Sequence, residues 1–192
     1  KILIVLLLTG LYADNIVEQK KKLCEDGDNY QCWRVGSMYY RGDKVKKNLV
    51  EAEKYLNKSC KEDITLGCVY LGLIYTDKKN YSDAAEFYKK SCESGLRGYE
   101  MGCNLLGEAY YHGRGIKQNS SKTAEFYSKA CNGGHIISCN NLAYMYNNGI
   151  GVHKDYSMAV RLHRKACDKN ESIGCFNQIG RASCRESVYI SV

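Results

Sequence analysis

The sequence predicts an all-α solenoid of helical hairpins that is stapled by disulfides. Three observations favour this fold class. The 192-residue chain contains no proline, the residue that most often interrupts a helix. Ten of its 11 cysteines form five pairs that recur with a nearly constant period. Small and apolar residues recur beside these pairs at the spacing of a helix face.

The composition indicates a folded, soluble body. Hydrophobic residues make up 44% of the chain and charged residues 26%. This is too apolar for a disordered polyelectrolyte and too polar for a bundle of membrane spans. The 28 Lys and Arg residues exceed the 21 Asp and Glu residues only mildly, and they are dispersed along the chain. We therefore expect no nucleic-acid partner.

The first 13 residues resemble a truncated secretory signal peptide. Lys1 precedes the apolar run ILIVLLLTG, and a small residue, Ala13, offers a cleavage site. About nine apolar residues are too few to span a bilayer. We therefore expect a secreted or periplasmic protein without a membrane span after cleavage, in a compartment where disulfides form.

The last 15 residues, 178–192, break the pattern of the rest. Their sequence, QIGRASCRESVYISV, looks like the translation of a common sequencing adapter, and we expect it not to be native. Excluding it removes Cys184 and leaves an even number of cysteines. The expected folded region is then 14–177, with about four repeats, and the natural protein is expected to have more.

The cysteine pairs define the repeat. Their second members follow one another at 36, 35, 36 and 36 residues, and a fixed period of this size is typical of solenoids. The segment after each second cysteine is predicted to be a helix, which we call helix A, and we number its positions as offsets from that cysteine. It carries an apolar residue at offset three, Gly or Ala at offset four and Tyr at offset seven. Glycine at a helix position implies a close helix contact there. A second predicted helix, helix B, follows helix A and ends at the first cysteine of the next pair. It has small or aromatic residues on its inner side. A lysine lies in the last turn of each helix B, and we call these four residues the lysine row: Lys58, Lys90, Lys129 and Lys165.

The combined pattern, CxxLGxxYxxGxGVxxNxxxAxxFYxKAC, resembles the Sel-like repeat, a relative of the tetratricopeptide repeat. Its cysteine-stapled form resembles the Helicobacter and Campylobacter cysteine-rich protein family over roughly Cys24 to Asn177. The loops at Gly42 and before Asn80 depart from the pattern because they lack the Gly-x-Gly. The resemblance implies a right-handed α/α solenoid that acts as a scaffold for protein partners.

Two disulfide patterns remain open. Pairing across each hairpin, from Cys32 to Cys60 and onward, would leave Cys24 and Cys175 without partners. Local pairing uses all ten thiols, and the resemblance implies it as well, so we favour it. The local pairs are Cys24/Cys32, Cys60/Cys68, Cys92/Cys103, Cys131/Cys139 and Cys167/Cys175.

The sequence motifs give little support for an enzymatic activity. The chain has no C-x2-C and no H-x3-5-H, so neither zinc nor another cofactor is predicted. Members of the cysteine-rich family are commonly described as penicillin-binding proteins or weak β-lactamases, which implies β-lactam hydrolysis and a cell-wall-like ligand as the alternative. However, S-x-x-K, S-D-N and K-T-G are all absent. Catalytic residues therefore remain unknown.

A binding surface is predicted instead on the concave side of the solenoid, which helix A lines in tetratricopeptide relatives. A protein or peptide partner would meet the helix A residues that do not face the core. Exposed aromatic side chains are favoured interface anchors, and Asn can hydrogen-bond an extended backbone. The candidates are Trp33, Tyr40, Asn104, Glu108, Tyr111, Asn140, Tyr144 and Asn147. The alternative is that Trp33, Val69 and Leu73 pack against a neighbouring repeat or under the N-terminal helix.

Overall fold

The computed structural model describes residues 16–168, and this range contains helices and no strands. The first helix, α1, covers 16–25. The others are α2 (Asn29–Arg41), α3 (Leu49–Lys61), α4 (Thr65–Asp77), α5 (Tyr81–Glu93), α6 (Tyr99–His112), α7 (Ser120–Gly133), α8 (Ile136–Asn148) and α9 (Tyr156–Asp168). The all-α prediction is confirmed. None of these helices is long and apolar enough to cross a membrane. The predicted signal peptide, the adapter-like end and Cys175 lie outside the described residues.

The chain divides after Gly98 into two compact units. In unit 1, α2 packs on α3 and α4 packs on α5, while α3 also packs on α4. In unit 2, α6 packs on α7, α8 packs on α9, and α7 joins the two hairpins through α8. The A helices are thus α2, α4, α6 and α8, and the B helices are α3, α5, α7 and α9. Helix α1 holds the place of a B helix ahead of the first hairpin.

One backbone hydrogen bond closes each hairpin at the same place. The residue just before helix B donates its N–H to the carbonyl of the tyrosine at offset seven in helix A. The four bonds, 2.9 to 3.0 Å long, run from Asn48 to Tyr39, Asn80 to Tyr75, Asn119 to Tyr110 and Asp155 to Tyr146. The side chains of the same four residues accept N–H groups from the first turn of helix B. The recurring Asn or Asp therefore caps helix B with its side chain and closes the loop with its backbone N–H. We call this backbone hydrogen bond the loop clasp.

The loop at Gly42 keeps the backbone conformation of Gly-x-Gly, although it lacks the second glycine. Gly115 and Gly151 have φ values of 70° and 68°, and Lys44 takes their place in the first loop with a φ of 61°. A left-handed residue other than glycine costs roughly 1 kcal/mol. The first hairpin tolerates this cost because the clasp from Asn48 to Tyr39 still forms.

The disulfides join the end of each B helix to the start of the next A helix. The structure shows bridges from Cys24 to Cys32, from Cys60 to Cys68 and from Cys131 to Cys139, with Cα atoms 4.7 to 4.8 Å apart. Cys92 and Cys103 are disulfide-bonded as well. Each eight-residue separation closes a loop that contributes about 2–3 kcal/mol in the chain-entropy model.

The lysine row does more than complement its own helix dipole. In unit 1, Lys58 Nζ of α3 donates to the carbonyl oxygen of Cys24, and Lys90 Nζ of α5 donates to that of Cys60 at 2.9 Å. Both carbonyls lie in the last turn of the preceding B-type helix, where backbone acceptors lack helical partners. Each lysine therefore caps the previous repeat and ties two repeats together beside a disulfide.

The offset-four glycines sit where helix A meets helix B, which confirms the predicted close contact. A Cβ built on Gly36 would lie 2.5 Å from Leu56 Cγ, and one on Gly107 would lie 2.8 Å from the Tyr127 ring. At Gly72 the neighbour is the buried ring of Tyr88. A side chain at any of these positions would push the two helices apart.

We predict that Gly72→Ala destabilises the protein by about 1–3 kcal/mol, although alanine favours helix more than glycine. The urea midpoint should fall. In a Tyr88→Leu background the same change should cost clearly less, because the ring it collides with is gone. An equal loss in both backgrounds would mean that helix contact is not the reason for the glycine.

A polar network holds α6 and α8 together inside unit 2. Ser138 is fully buried, and its hydroxyl donates to Asn104 Oδ1 at 2.7 Å. Asn104 Nδ2 donates to Glu108 Oε1 at 2.8 Å. His135 begins α8, and its Nδ1 accepts the backbone N–H of Ser138 at 3.3 Å and lies 2.9 Å from the Ser138 hydroxyl. Burial lowers the pKa of His135, against the opposing pull of Glu100 and Glu108.

This network predicts a stability loss in mild acid. Because the pKa of His135 is lower in the folded state, the unfolded chain binds more protons below about pH 6.5, and stability falls as pH drops through the folded value. His163, whose pKa burial also lowers, acts in the same direction. His135→Asn keeps a capping acceptor without a titrating ring. Its urea midpoint should fall less than that of the parent between pH 7.5 and 5.5. If the urea midpoints of the variant and the parent fall equally over this pH range, His135 does not cause the loss of stability in acid.

Candidate functional site

The A helices of unit 1 bring four aromatic rings together on one surface. The ring of Tyr30 lies 5.0 Å from that of Trp33, and Tyr70 lies 6.4 Å from Trp33 and 5.6 Å from Tyr40, measured between centroids. We call Tyr30, Trp33, Tyr40 and Tyr70 the aromatic patch. Tyr30 is 49% exposed, and the other three are half-buried.

Helix spacing explains how the patch assembles. Tyr30, Trp33 and Tyr40 are three and seven residues apart, so α2 presents them along one side. Tyr70 on α4 meets both Trp33 and Tyr40 edge-on. The indole N–H of Trp33 is buried and has no hydrogen-bond acceptor within residues 16–168. Such a group costs free energy in the unbound protein.

Charged side chains border these rings. The Arg41 guanidinium lies 5.9 Å from the centroid of the Tyr70 ring, and Lys47 Nζ lies 5.3 Å from that of Tyr40. Burial, together with the negative charge of the neighbouring Asp77 carboxylate, raises the pKa of Tyr40. The patch is therefore a surface of ring faces and edges bordered mainly by cations.

In unit 2 the corresponding surface of α6 and α8 is more polar. Tyr144 is 55% exposed, and the other accessible predicted residues are half-buried: Glu108, Tyr111, Asn140 and Asn147. Asn140 Oδ1 lies 3.4 Å from His163 Nδ1. Asn104 differs from the prediction, because it is only 6% exposed and both ends of its amide are bonded inside the network described above. Its amide is not open to a partner.

The sequence interpretation missed several exposed residues on the A helices of each unit. Offset minus two from the second cysteine carries Tyr30, Met101 and Ile137, which are 49%, 39% and 61% exposed. Tyr70, at offset plus two, was also missed. An apolar residue recurs at offset minus two in every repeat, and this recurrence was the available signal.

A cleft of about 480 Å³ lies between α1 and the loop that follows α2. Lys21 and Glu18 form an ion pair inside it, with 2.7 Å between Nζ and Oε1. The hydrogen bond that Lys21 donates to Glu18 raises the pKa of Lys21, so this amine is held in its charged form and is a poor nucleophile. The cleft is lined by Val17, Glu18, Lys21, Tyr39, Val45, Lys46, Lys47 and Asn48.

The contact between the side chains of Ser138 and His135 does not have the geometry of a hydrolytic pair. Ser138 and His135 are adjacent, but the serine hydroxyl is fully buried and donates to Asn104. A nucleophile must instead be reachable and give its proton to a base. Within residues 16–168, no group of three or more His, Cys, Asp or Glu side chains could hold a metal ion.

Solved structures resemble this fold. The chain aligns with c5321, a protective antigen of uropathogenic Escherichia coli strains with an SLR fold, at a TM-score of 0.73 and 27% identity over 84% of this chain. It spans only 37% of that antigen. A Sel1 repeat protein from Oxalobacter formigenes aligns at a TM-score of 0.71 and 21% identity, over 85% of this chain and 69% of that one.

Helicobacter pylori cysteine rich protein B is 33% identical, at a TM-score of 0.54 over 70% of this chain and 96% of that one. No curated protein matches the sequence significantly. The model of the Sel1 repeat matches four segments, 32–63, 66–96, 101–135 and 136–171, which together cover more than half of the chain. Their limits fall on the hairpins described above. The chain is therefore a member of the Sel1 repeat family, with a solenoid fold stapled by disulfides.

Proposed function

We propose that this chain is an exported repeat scaffold that binds a protein or peptide partner through the exposed side of its A helices, the side that the resemblance predicts to be concave. The aromatic patch of unit 1 carries the proposal. Its rings are clustered yet remain accessible, and Tyr30 is half exposed. Tyr and Trp are the residues that most often anchor protein interfaces.

The core explains why this side is available for binding. The A helices bury their offset-three and offset-four residues against the B helices, as at Leu71 and Gly72. On the other side of the A helices, Trp33, Tyr40 and Tyr70 pack against the core of unit 1 only in part and keep accessible surface. Repeat proteins generally bind partners on such extended surfaces. The buried Trp33 N–H without an acceptor adds a group that a rearrangement on binding could satisfy.

Export is supported by the covalent chemistry of the fold. The disulfides fit an oxidising compartment, because reducing systems in the cytosol keep such thiols free. The apolar segment that begins at Ile2 resembles a signal peptide. The likeness to the Helicobacter cysteine rich protein supports placing the chain in the cysteine-stapled branch of the family.

We predict that a random 12-residue peptide library, displayed on phage, yields binders to the immobilised chain. Tyr30→Ala and Tyr40→Ala should each weaken the selected peptides by about tenfold or more, as expected for interface anchors. Tyr156→Ala is the matched control, because Tyr156 is a 61% exposed tyrosine on helix B. Equal urea midpoints would show that the variants remain folded. If the selected peptides bind the Tyr30→Ala and Tyr40→Ala variants as tightly as the parent, this surface is not the binding site. If the library yields no binders, the proposed scaffold role is wrong.

Export makes a separate prediction. When the chain, started with an added Met, is expressed in a bacterium that has a disulfide-forming periplasm, the mature protein should begin at Asp14 and lie in the periplasmic fraction. Replacing two apolar residues of the leader, Leu6→Glu and Leu7→Glu, should leave it uncleaved in the cytoplasm. N-terminal sequencing and intact mass measure both outcomes. Cytoplasmic retention of the parent chain would refute the signal-peptide assignment.

A further inference from the structure

The aromatic patch shares α2 with a row of positive charges. Arg34 and Arg41 are both exposed and lie seven residues apart, so they occupy the same side of the helix as Tyr30. Arg41 reaches across to the Tyr70 ring and also donates from Nε to the backbone oxygen of Ser37 at 3.4 Å. One guanidinium is thereby fixed against the rings while the other projects beside them.

Two lysines extend this row. Lys20 on α1 donates to Gln31 Oε1 of α2 at 3.3 Å, which places its ammonium next to Arg34. Its pKa is lowered by burial and by the positive charges of Arg34 and Lys44, with Asp28 opposing them. The cations therefore lie close enough to repel one another. We call Lys20, Arg34, Arg41 and Lys44 the cationic row.

Acidic side chains of the protein do not neutralise this row. Among residues 16–168, none of its four members forms an ion pair, whereas Lys78 is paired with Glu53 in the same unit. Of the nearby carboxylates, Asp28 accepts the N–H of Gln31 at the start of α2, and Asp77 acts on the Tyr40 hydroxyl, whose pKa it raises.

We infer, on the basis of the proposed function, that unit 1 selects acidic peptide segments. The partner is a chain segment with an apolar or aromatic side chain flanked by Asp or Glu. The apolar side chain rests on the aromatic patch, and the carboxylates meet the cationic row. Arginine suits this role because its planar guanidinium can bind a carboxylate with two hydrogen bonds while stacked on a ring. Anions would also relieve the repulsion around Lys20.

The size of the row favours a peptide over a nucleic acid. Seven helical residues from Arg34 to Arg41 span roughly 10 Å, the length of only three or four extended peptide residues. Nucleic-acid sites instead use longer stretches or several phosphate contacts. Asp28 and Asp77 at the edges of the surface would also repel a continuous polyanion.

The test uses the same random 12-residue peptide library, with the parent chain and two charge-reversal variants as bait. The first variant carries Arg34→Glu, Arg41→Glu and Lys44→Glu. The matched control carries Lys54→Glu, Arg97→Glu and Lys117→Glu, which are exposed positions on helix B or in loops with the same total charge change. Circular dichroism and urea midpoints establish that both variants fold.

We expect the parent and the control to enrich acidic peptides that contain an apolar residue, and the first variant to lose them and enrich basic ones. Binding of an enriched acidic peptide should weaken about tenfold between 50 and 500 mM NaCl. Enrichment without acidic bias would overturn this inference and leave the proposed function standing. Absence of any enrichment would overturn both. If a single-stranded oligonucleotide binds the row while peptides do not, the surface recognises nucleic acid instead.

Discussion

The joint between one hairpin and the next is the constraint on which the rest of the structure depends. A single helical hairpin buries too little apolar surface to be stable, so each repeat must hold its neighbour in a fixed position. At the joint after α3, the bridge from Cys60 to Cys68 fixes the chain, and Lys90 from the following B helix caps the end of the preceding one. The glycine at offset four then lets the next pair of helices approach. Covalent and polar contacts thus act at the joint, and the steric contact of the glycine acts inside the hairpin that follows it.

The sequence predicted the core better than the surface, and the reason is physical. Core positions such as Leu71 and Gly72 obey the same packing demand in every repeat, so they recur visibly. The loop clasp could not be predicted, although its Asn or Asp recurs in every repeat. The clasp is a bond between backbone groups, so it does not determine which side chain the accepting residue carries. The lysine row was visible as a pattern, but the carbonyls that Lys58 and Lys90 bind belong to the preceding repeat and could not be found from spacing alone.

Offset one of helix A shows where helical periodicity misleads. The prediction placed this position on the concave side, with packing of Trp33 against a neighbouring repeat as the alternative, and in the structure Trp33 points toward the neighbouring A helix. Trp33 meets Tyr70 there in unit 1, and Asn104 meets Ser138 in unit 2. A single-helix pattern cannot distinguish a side that faces solvent from a side that faces the next repeat. The large ring of Trp33 still reaches the surface, whereas the short amide of Asn104 is enclosed.

The short reach of the bridges has a consequence for how the protein matures. In each of the three bridges from Cys24, Cys60 and Cys131, the two sulfurs belong to consecutive cysteines of the chain. A polypeptide that enters an oxidising compartment from its N-terminus therefore meets the correct partner of each thiol before the next thiol arrives. Oxidation in simple order of emergence yields the native pattern, without reshuffling of mispaired intermediates. A repeat array of this kind can be lengthened by whole units without making its oxidative folding harder.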